Sequence, residues 1–207
     1  MMIIIINGTS SSGKSTVAHA LQRHLGDGWL YFSMDDYLSM LGAKYEGLHP
    51  DNSDVCKPND IIYARKHPDG SHEIVIGELC AKLFATISDV LALIAAQGFN
   101  IIVDSFLTTM IEFNAYKEKL KKHAPLFIYL YASEKTITAR EEARGDRLKG
   151  SAVHWLRSFE CKAASDLCID TDEENLEKII ERLLQKIRDM NTGLSEPRPL
   201  GSVEGFE

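Results

Sequence analysis

The residues most able to do chemistry sit near the amino end. Gly8-Thr9-Ser10-Ser11-Ser12-Gly13-Lys14-Ser15 carries the pattern G-x-x-x-x-G-K-[ST] directly after the apolar run Met2–Ile6. That pattern has a mechanism where a buried strand hands over to a helix. Gly8 and Gly13 have no Cβ, so the backbone can curl and come close to phosphate oxygens. The loop N–H groups then point inward as an anion nest. A helix starting near Gly13 adds unpaired N–H groups and the positive end of its dipole. Lys14 brings a full positive charge to the β- and γ-phosphates, and the Ser15 hydroxyl is placed to ligate Mg²⁺. Thr9, Ser10, Ser11, Ser12 and Thr16 complete the residues expected to line a nucleoside triphosphate. The alternative, a chance match in a Gly/Ser-rich turn, has a probability of order 1% from residue frequencies.

Two carboxylates are expected beside this loop. Asp35 follows the apolar run Trp29–Ser33, and Asp104 ends the run Asn100–Asp104. In a parallel sheet, ligands bind outside the carboxyl ends of the strands, where both would converge on the loop. Phosphoryl transfer needs charge clamps, a metal, and a carboxylate to orient and deprotonate the attacking hydroxyl. Asp35 is the candidate for that base, and Asp104 for the Mg²⁺ shell, directly or through water. The alternative for each is a helix cap or a solvated loop carboxylate, and Asp36 is expected to cap a helix beginning at Tyr37. Arg140, Arg144 and Arg147 are spaced four and three apart and share one helical face. Such a face fits a mobile lid that closes over phosphates and stabilises transition-state charge, a contribution of ~10³–10⁵ in rate in known cases. Read instead as solvated pairs with Glu141, Glu142 and Asp146, each would contribute about 0.2–1 kcal/mol. The phosphate loop upstream favours the lid.

The elements that must position these residues alternate along the chain. Strands are expected at Met2–Ile6, Trp29–Ser33, Asn100–Asp104, Leu126–Tyr131 and Leu167–Asp170. Helices are expected near Gly13–Leu25, Gly77–Gln97, Thr109–Lys122, Ser133–Asp146 and Glu173–Met190, the last with Thr171 and Glu174 as its capping box. Near-continuous apolar strands joined by helices imply an α/β fold, a three-layer α/β/α sandwich around a five-stranded parallel sheet. Ile61–Arg65 and His72–Ile76 flank Pro68-Asp69-Gly70, so a hairpin is expected inside an insertion over residues 42–76. One domain is expected over residues 1–190, with the lid at about 133–150 and a disordered tail over 191–207.

With 207 residues, 44% hydrophobic and 26% charged, the chain has the composition of a globular protein with a full core. Its net charge of −7 argues against a nucleic-acid partner gripped by bulk charge. No apolar run is read as reaching bilayer length, and no membrane partner is expected. Cys56, Cys80, Cys161 and Cys168 show no C-x-x-C spacing and no His cluster. They read as free thiols in a reducing compartment, which implies a cytoplasmic location.

Taken together, these residues resemble the chloramphenicol phosphotransferase-like family, within the P-loop kinases of nucleoside-monophosphate-kinase type. The resemblance is carried by Ile6 to Ser15, Trp29 to Asp35, Ile101 to Asp104, the run Glu142-Ala143-Arg144-Gly145-Asp146-Arg147, and Asp166 to Thr171. It implies ATP and Mg²⁺, and γ-phosphoryl transfer to a small-molecule hydroxyl. It also implies that the aspartate at position 35 acts as base and that the lid arginines contact phosphate. The chain departs from the family pattern at Trp155 and Glu160, where the family tends to carry Gln and His, and in a longer insert around Lys44–Asn59.

The acceptor itself is left open, and a nucleoside or nucleotide kinase is the first alternative. A GTPase switch would need N-K-x-D and D-x-x-G motifs. Neither is present, since Asp104 is followed by Ser105-Phe106-Leu107. A catalytically silent ATP-binding protein is the remaining reading, and the presence of Lys14, Ser15, Asp35 and Asp104 argues against it.

Overall fold

The structure is a computed structural model and describes residues 1–41, 62–66, 68, 72–145 and 150–192. Arg147 and most of the expected insertion and tail lie outside those residues. The first strand, β1 (Ile3–Asn7), is buried along its whole length. It can be so because a neighbour covers each edge and helices cover each face. β1 pairs in parallel with β5 (Asn100–Asp104) on one side and β6 (Pro125–Tyr131) on the other. β2 (Trp29–Ser33) pairs with β5, and β7 (Leu167–Asp170) with β6, giving one five-stranded parallel sheet in the order β2-β5-β1-β6-β7. The expected α/β/α fold is the observed one.

Side-chain alternation divides the core. Ile4 and Ile6 point to the face covered by α1 (Lys14–Leu25) and α7 (Leu176–Thr192), where they meet Val17, Leu21, Ile180 and Leu183. Ile3 and Ile5 point to the face covered by α3 (Glu78–Ala96) and α4 (Met110–Leu120), where they meet Ile87, Leu91, Phe113 and Leu120. By length and composition α3 could cross a bilayer, which corrects the reading that no apolar run reaches that length. In this fold Cys80, Ile87, Ser88, Leu91 and Ala95 are its buried residues.

Three further differences concern helices. α2 (Met34–Ser39) begins three residues before Tyr37, because Ser33 Oγ accepts from Asp36 N at 3.1 Å and caps it. Asp36 therefore lies in the first turn and is not the cap. After α5 (Glu134–Arg144) comes a helix that was not expected, α6 (Ser151–Ser158). α7 starts at Leu176, with Asn175 Oδ1 accepting from Lys178 N at 3.0 Å. Thr171 and Glu174 form no capping box; Thr171 binds Arg140 and Glu174 pairs with Arg182. The expected hairpin is present as β3 (Ile62–Lys66) and β4 (His72–Ile76), which are antiparallel, and β4 lies against α6.

Two local devices aim the end of β1. Asn7, itself buried, donates from Nδ2 to Leu107 O at 2.9 Å and accepts Leu107 N on Oδ1 at 2.8 Å. This pins the chain after β5 to the end of β1. Gly8 then turns away with φ of +144°, and a Cβ there would stand 2.2 Å from the Leu130 carbonyl oxygen of β6. That oxygen belongs to a strand backbone and cannot give way. Gly8→Ala is expected to destabilise the fold by roughly 2–5 kcal/mol, from overpacking plus strain. Urea unfolding checks this, and an unchanged midpoint would contradict the close approach.

Candidate functional site

The loop from Gly8 to Gly13 is built to leave its polar groups facing inward. Ser11 has φ of 61° and Gly13 φ of 96°, so the chain turns twice through the left-handed region within the loop. α1 begins immediately, with no side-chain cap and no acidic residue in its first turn. Its first N–H groups thus keep their capacity for an anion. The Ser11 and Ser12 hydroxyls are buried without a hydrogen-bond partner. Buried polar groups are normally satisfied, so two orphans in one loop fit a polyanionic ligand that supplies the acceptors. Lys14 Nζ donates to Thr9 O at 2.9 Å, so its ammonium group lies over the loop. Thr16 is exposed beside it, and Ser10 is half-buried.

The register of the sheet brings the carboxylates to the same edge. Ile6 faces Asp104 across β1 and β5, and Ser33 faces Asp104 across β2 and β5. Ser15 Oγ donates to Asp104 Oδ2 at 2.5 Å, joining α1 to β5. Tyr31 OH also reaches Oδ2, at 3.3 Å. Burial and then the Asp104 charge push the Tyr31 phenol up to about 12, so it remains a donor. Asp35 is exposed in the first turn of α2, two residues past Ser33. The side chains of Ser15 and Asp104 meet directly. Asp35 shares their sheet edge through the strand register.

Ser15 and Asp104 fit a magnesium ion. Mg²⁺ keeps several waters and takes one or two protein oxygens plus phosphate oxygens, not an all-protein cage. Among the described residues no group of three or more His, Cys, Asp or Glu is placed to hold a metal ion.

The arginine face differs from a free lid. Arg140 donates to Thr171 Oγ1 at 2.9 Å, to Thr171 O at 3.2 Å and to Ser11 O at 3.4 Å. It ties α5 to the phosphate loop and to the end of β7. Arg144 is exposed on the last turn of α5. Glu141 is not a solvated partner for these arginines. It is 2% exposed, and its carboxylate accepts Gly150 N at 2.6 Å, Ala152 N at 2.9 Å and Ser151 Oγ at 3.2 Å. It therefore caps α6 from ten residues upstream. Thr9 Oγ1 donates to Ala152 O at 2.7 Å. The Thr9 side chain thus anchors the loop to α6, while its backbone stays in the nest. Sequence reasoning did not find Asn7, Glu141 or Thr171 in these roles. The one hint was that Asn7 is a polar residue directly after the apolar run Met2–Ile6; Glu141 lies among charged neighbours and gave none.

An anion loop between strand and helix, a hydroxyl–carboxylate pair at the next strand end and an arginine tied to the loop define a P-loop fold of the kinase type. Solved structures agree on the fold. A gluconokinase from Sinorhizobium meliloti 1021 matches with 18% identity and a TM-score of 0.60, covering 93% of this chain and 94% of that one. The APS kinase of Mycobacterium tuberculosis, in complex with AMPPNP and APS, matches with 14% identity and a TM-score of 0.61, covering 90% and 97%. Shikimate kinase from Acinetobacter baumannii, in complex with shikimate, matches with 16% identity and a TM-score of 0.55, covering 93% and 95%. At such identities the likeness establishes fold alone. The family model described as chloramphenicol phosphotransferase-like protein matches residues 1–188, and the chain belongs to that family. No curated protein sequence matches it.

Removing the Glu141 carboxylate should expose how much the site depends on it. Glu141→Ala leaves buried donors of α6 unpaired, and a loss of about 2–4 kcal/mol is expected. Chemical denaturation measures it, and a loss within ~0.5 kcal/mol, as for an ordinary surface change, would contradict the buried cap.

Proposed function

We propose that this protein transfers the γ-phosphoryl group of ATP, with Mg²⁺, to a hydroxyl group of a small molecule. The observation that carries the reading is the Ser15–Asp104 contact at 2.5 Å beside a loop with two orphaned serine hydroxyls. That combination suits a triphosphate and its cation, and it has no evident purpose in a loop that binds nothing. When bound, Mg·ATP supplies the transferable group and a cation that offsets its charge. The chain's own residues bind and orient. Backbone N–H groups from Gly8 to Thr16, the Ser10, Ser11 and Ser12 hydroxyls and the Lys14 ammonium hold phosphate oxygens in a preorganised nest. Ser15 and Asp104 would hold the cation. Arg140 fixes the loop and Arg144 extends positive charge along α5, which ends there; Arg147, the third arginine of the spacing, lies outside the described residues. Asp35 orients the acceptor hydroxyl and takes its proton.

Family membership and the kinases named among the structural neighbours support phosphoryl transfer. The gluconokinase and the shikimate kinase among them favour a small hydroxyl compound as acceptor. The negative net charge disfavours nucleic acid. Cys80, Cys161 and Cys168 are free, in keeping with a reducing, cytoplasmic setting.

The base is tested by Asp35→Asn. The variant should bind Mg·ATP as the wild type does and lose transfer at least 10²-fold, the usual contribution of a positioned base. The assay is a phosphate-transfer screen of hydroxyl compounds with labelled ATP. Wild-type transfer by Asp35→Asn would place the base elsewhere.

A further inference from the structure

The phosphate loop and its serine account for one donor on Asp104, and Tyr31 supplies another that the reaction does not itself require. A carboxylate turns readily about its last torsion, which is broad and roughly two-fold. One hydrogen bond leaves open which oxygen points where. In this fold both donors choose the same oxygen: Ser15 Oγ at 2.5 Å and Tyr31 OH at 3.3 Å converge on Oδ2. No described residue donates to Oδ1.

The two hydroxyls come from different elements, so their agreement is not a local accident. Tyr31 faces Ile102 across β2 and β5, while Ser33 faces Asp104. Tyr31 is thus two residues before the partner of Asp104 and on the same face of the sheet, and its hydroxyl reaches across the diagonal. Ser15 comes from α1. One helical turn further along α1, the His19 ring packs on the Tyr31 ring with centroids 4.1 Å apart and planes tilted by 39°. α1 therefore presents one contact to the carboxylate and a second to the ring that also holds it.

We infer that Tyr31 is a positioning residue for the cation site: together with Ser15 it holds Oδ2 of Asp104 and so leaves Oδ1 turned out for a divalent cation or its water. The inference rests on the magnesium role proposed above. Outer-sphere hydrogen bonds to a ligating carboxylate typically matter 10–100-fold in metal affinity. The Tyr31 contact is long, so the lower end applies.

The test uses the full chain with Tyr31→Phe, which keeps the ring packed on His19 and removes only the hydroxyl. Mn²⁺ serves as the probe, its binding in the presence of ATP read by electron paramagnetic resonance. Tyr31→Phe should weaken Mn²⁺ binding about tenfold, while ATP binding in EDTA and the thermal midpoint stay at wild-type values. In an Asp104→Asn background the same substitution should change Mn²⁺ binding by less than about twofold, since additivity fails only for coupled groups. Wild-type Mn²⁺ affinity in Tyr31→Phe overturns the inference and leaves the kinase reading standing. An equal tenfold loss in the Asp104→Asn background also overturns it, because the effect then bypasses the carboxylate. If the wild type takes up no Mn²⁺ with ATP, the magnesium role falls and the inference with it.

Discussion

A strand end can curl around an anion only where the strand itself cannot shift. β1 meets that condition because it is the middle strand of the sheet, hydrogen-bonded to β5 and β6 and covered on both faces. Four consecutive isoleucines, two turned to each face, contribute about 1.5–3 kcal/mol apiece by burial. Their greater effect here is to fix the point where the chain leaves the sheet. Gly8 turns out against the Leu130 carbonyl with no room for a side chain. Everything the site needs is measured from that turn. The loop amides follow it, α1 starts six residues later at Lys14, and the strand register places Asp104 and Ser33 alongside.

A second network holds the loop from the other side. Arg140 reaches Ser11 and Thr171, Glu141 caps α6, and Ala152 in α6 receives the Thr9 hydroxyl. Adjacent residues of α5 thus use opposite charges for complementary jobs, a guanidinium outward onto the loop and a carboxylate inward onto a helix start. Buried carboxylates are costly unless several donors satisfy them. Glu141 has three, two of them N–H groups at the beginning of α6. Since β4 also lies against α6, the hairpin is connected through the same helix to the phosphate loop.

The strands were legible because buried parallel strands read as unbroken apolar runs, and each lies within a residue or so of its expected place. The phosphate loop was legible because its pattern is short, local and tied to one backbone shape. Helix starts were harder. Ser33 and Asp36 both suit a cap, and so do Thr171 and Asn175, and only tertiary packing decides between them. α6 was invisible to periodicity because it is a short helix whose cap comes from Glu141, outside its own segment. The arginine face carried its spacing in the sequence. That Arg140 would be tied down by a backbone carbonyl of the loop required the contact between α5 and β1's successor, which no local pattern encodes. Glu141 entered the sequence reading only as a solvated partner in the alternative to the lid, because its neighbours Arg140, Glu142 and Arg144 are all charged.

The central claim is that the curled turn after β1 binds a triphosphate with its cation. Isothermal titration of Mg·ATP into the full chain tests it most directly, with Lys14→Ala beside it. The account predicts saturable heat at one site for the wild type and its loss, or a weakening of at least about tenfold, when the ammonium group is removed. No heat at millimolar Mg·ATP, or equal binding by both proteins, would contradict it.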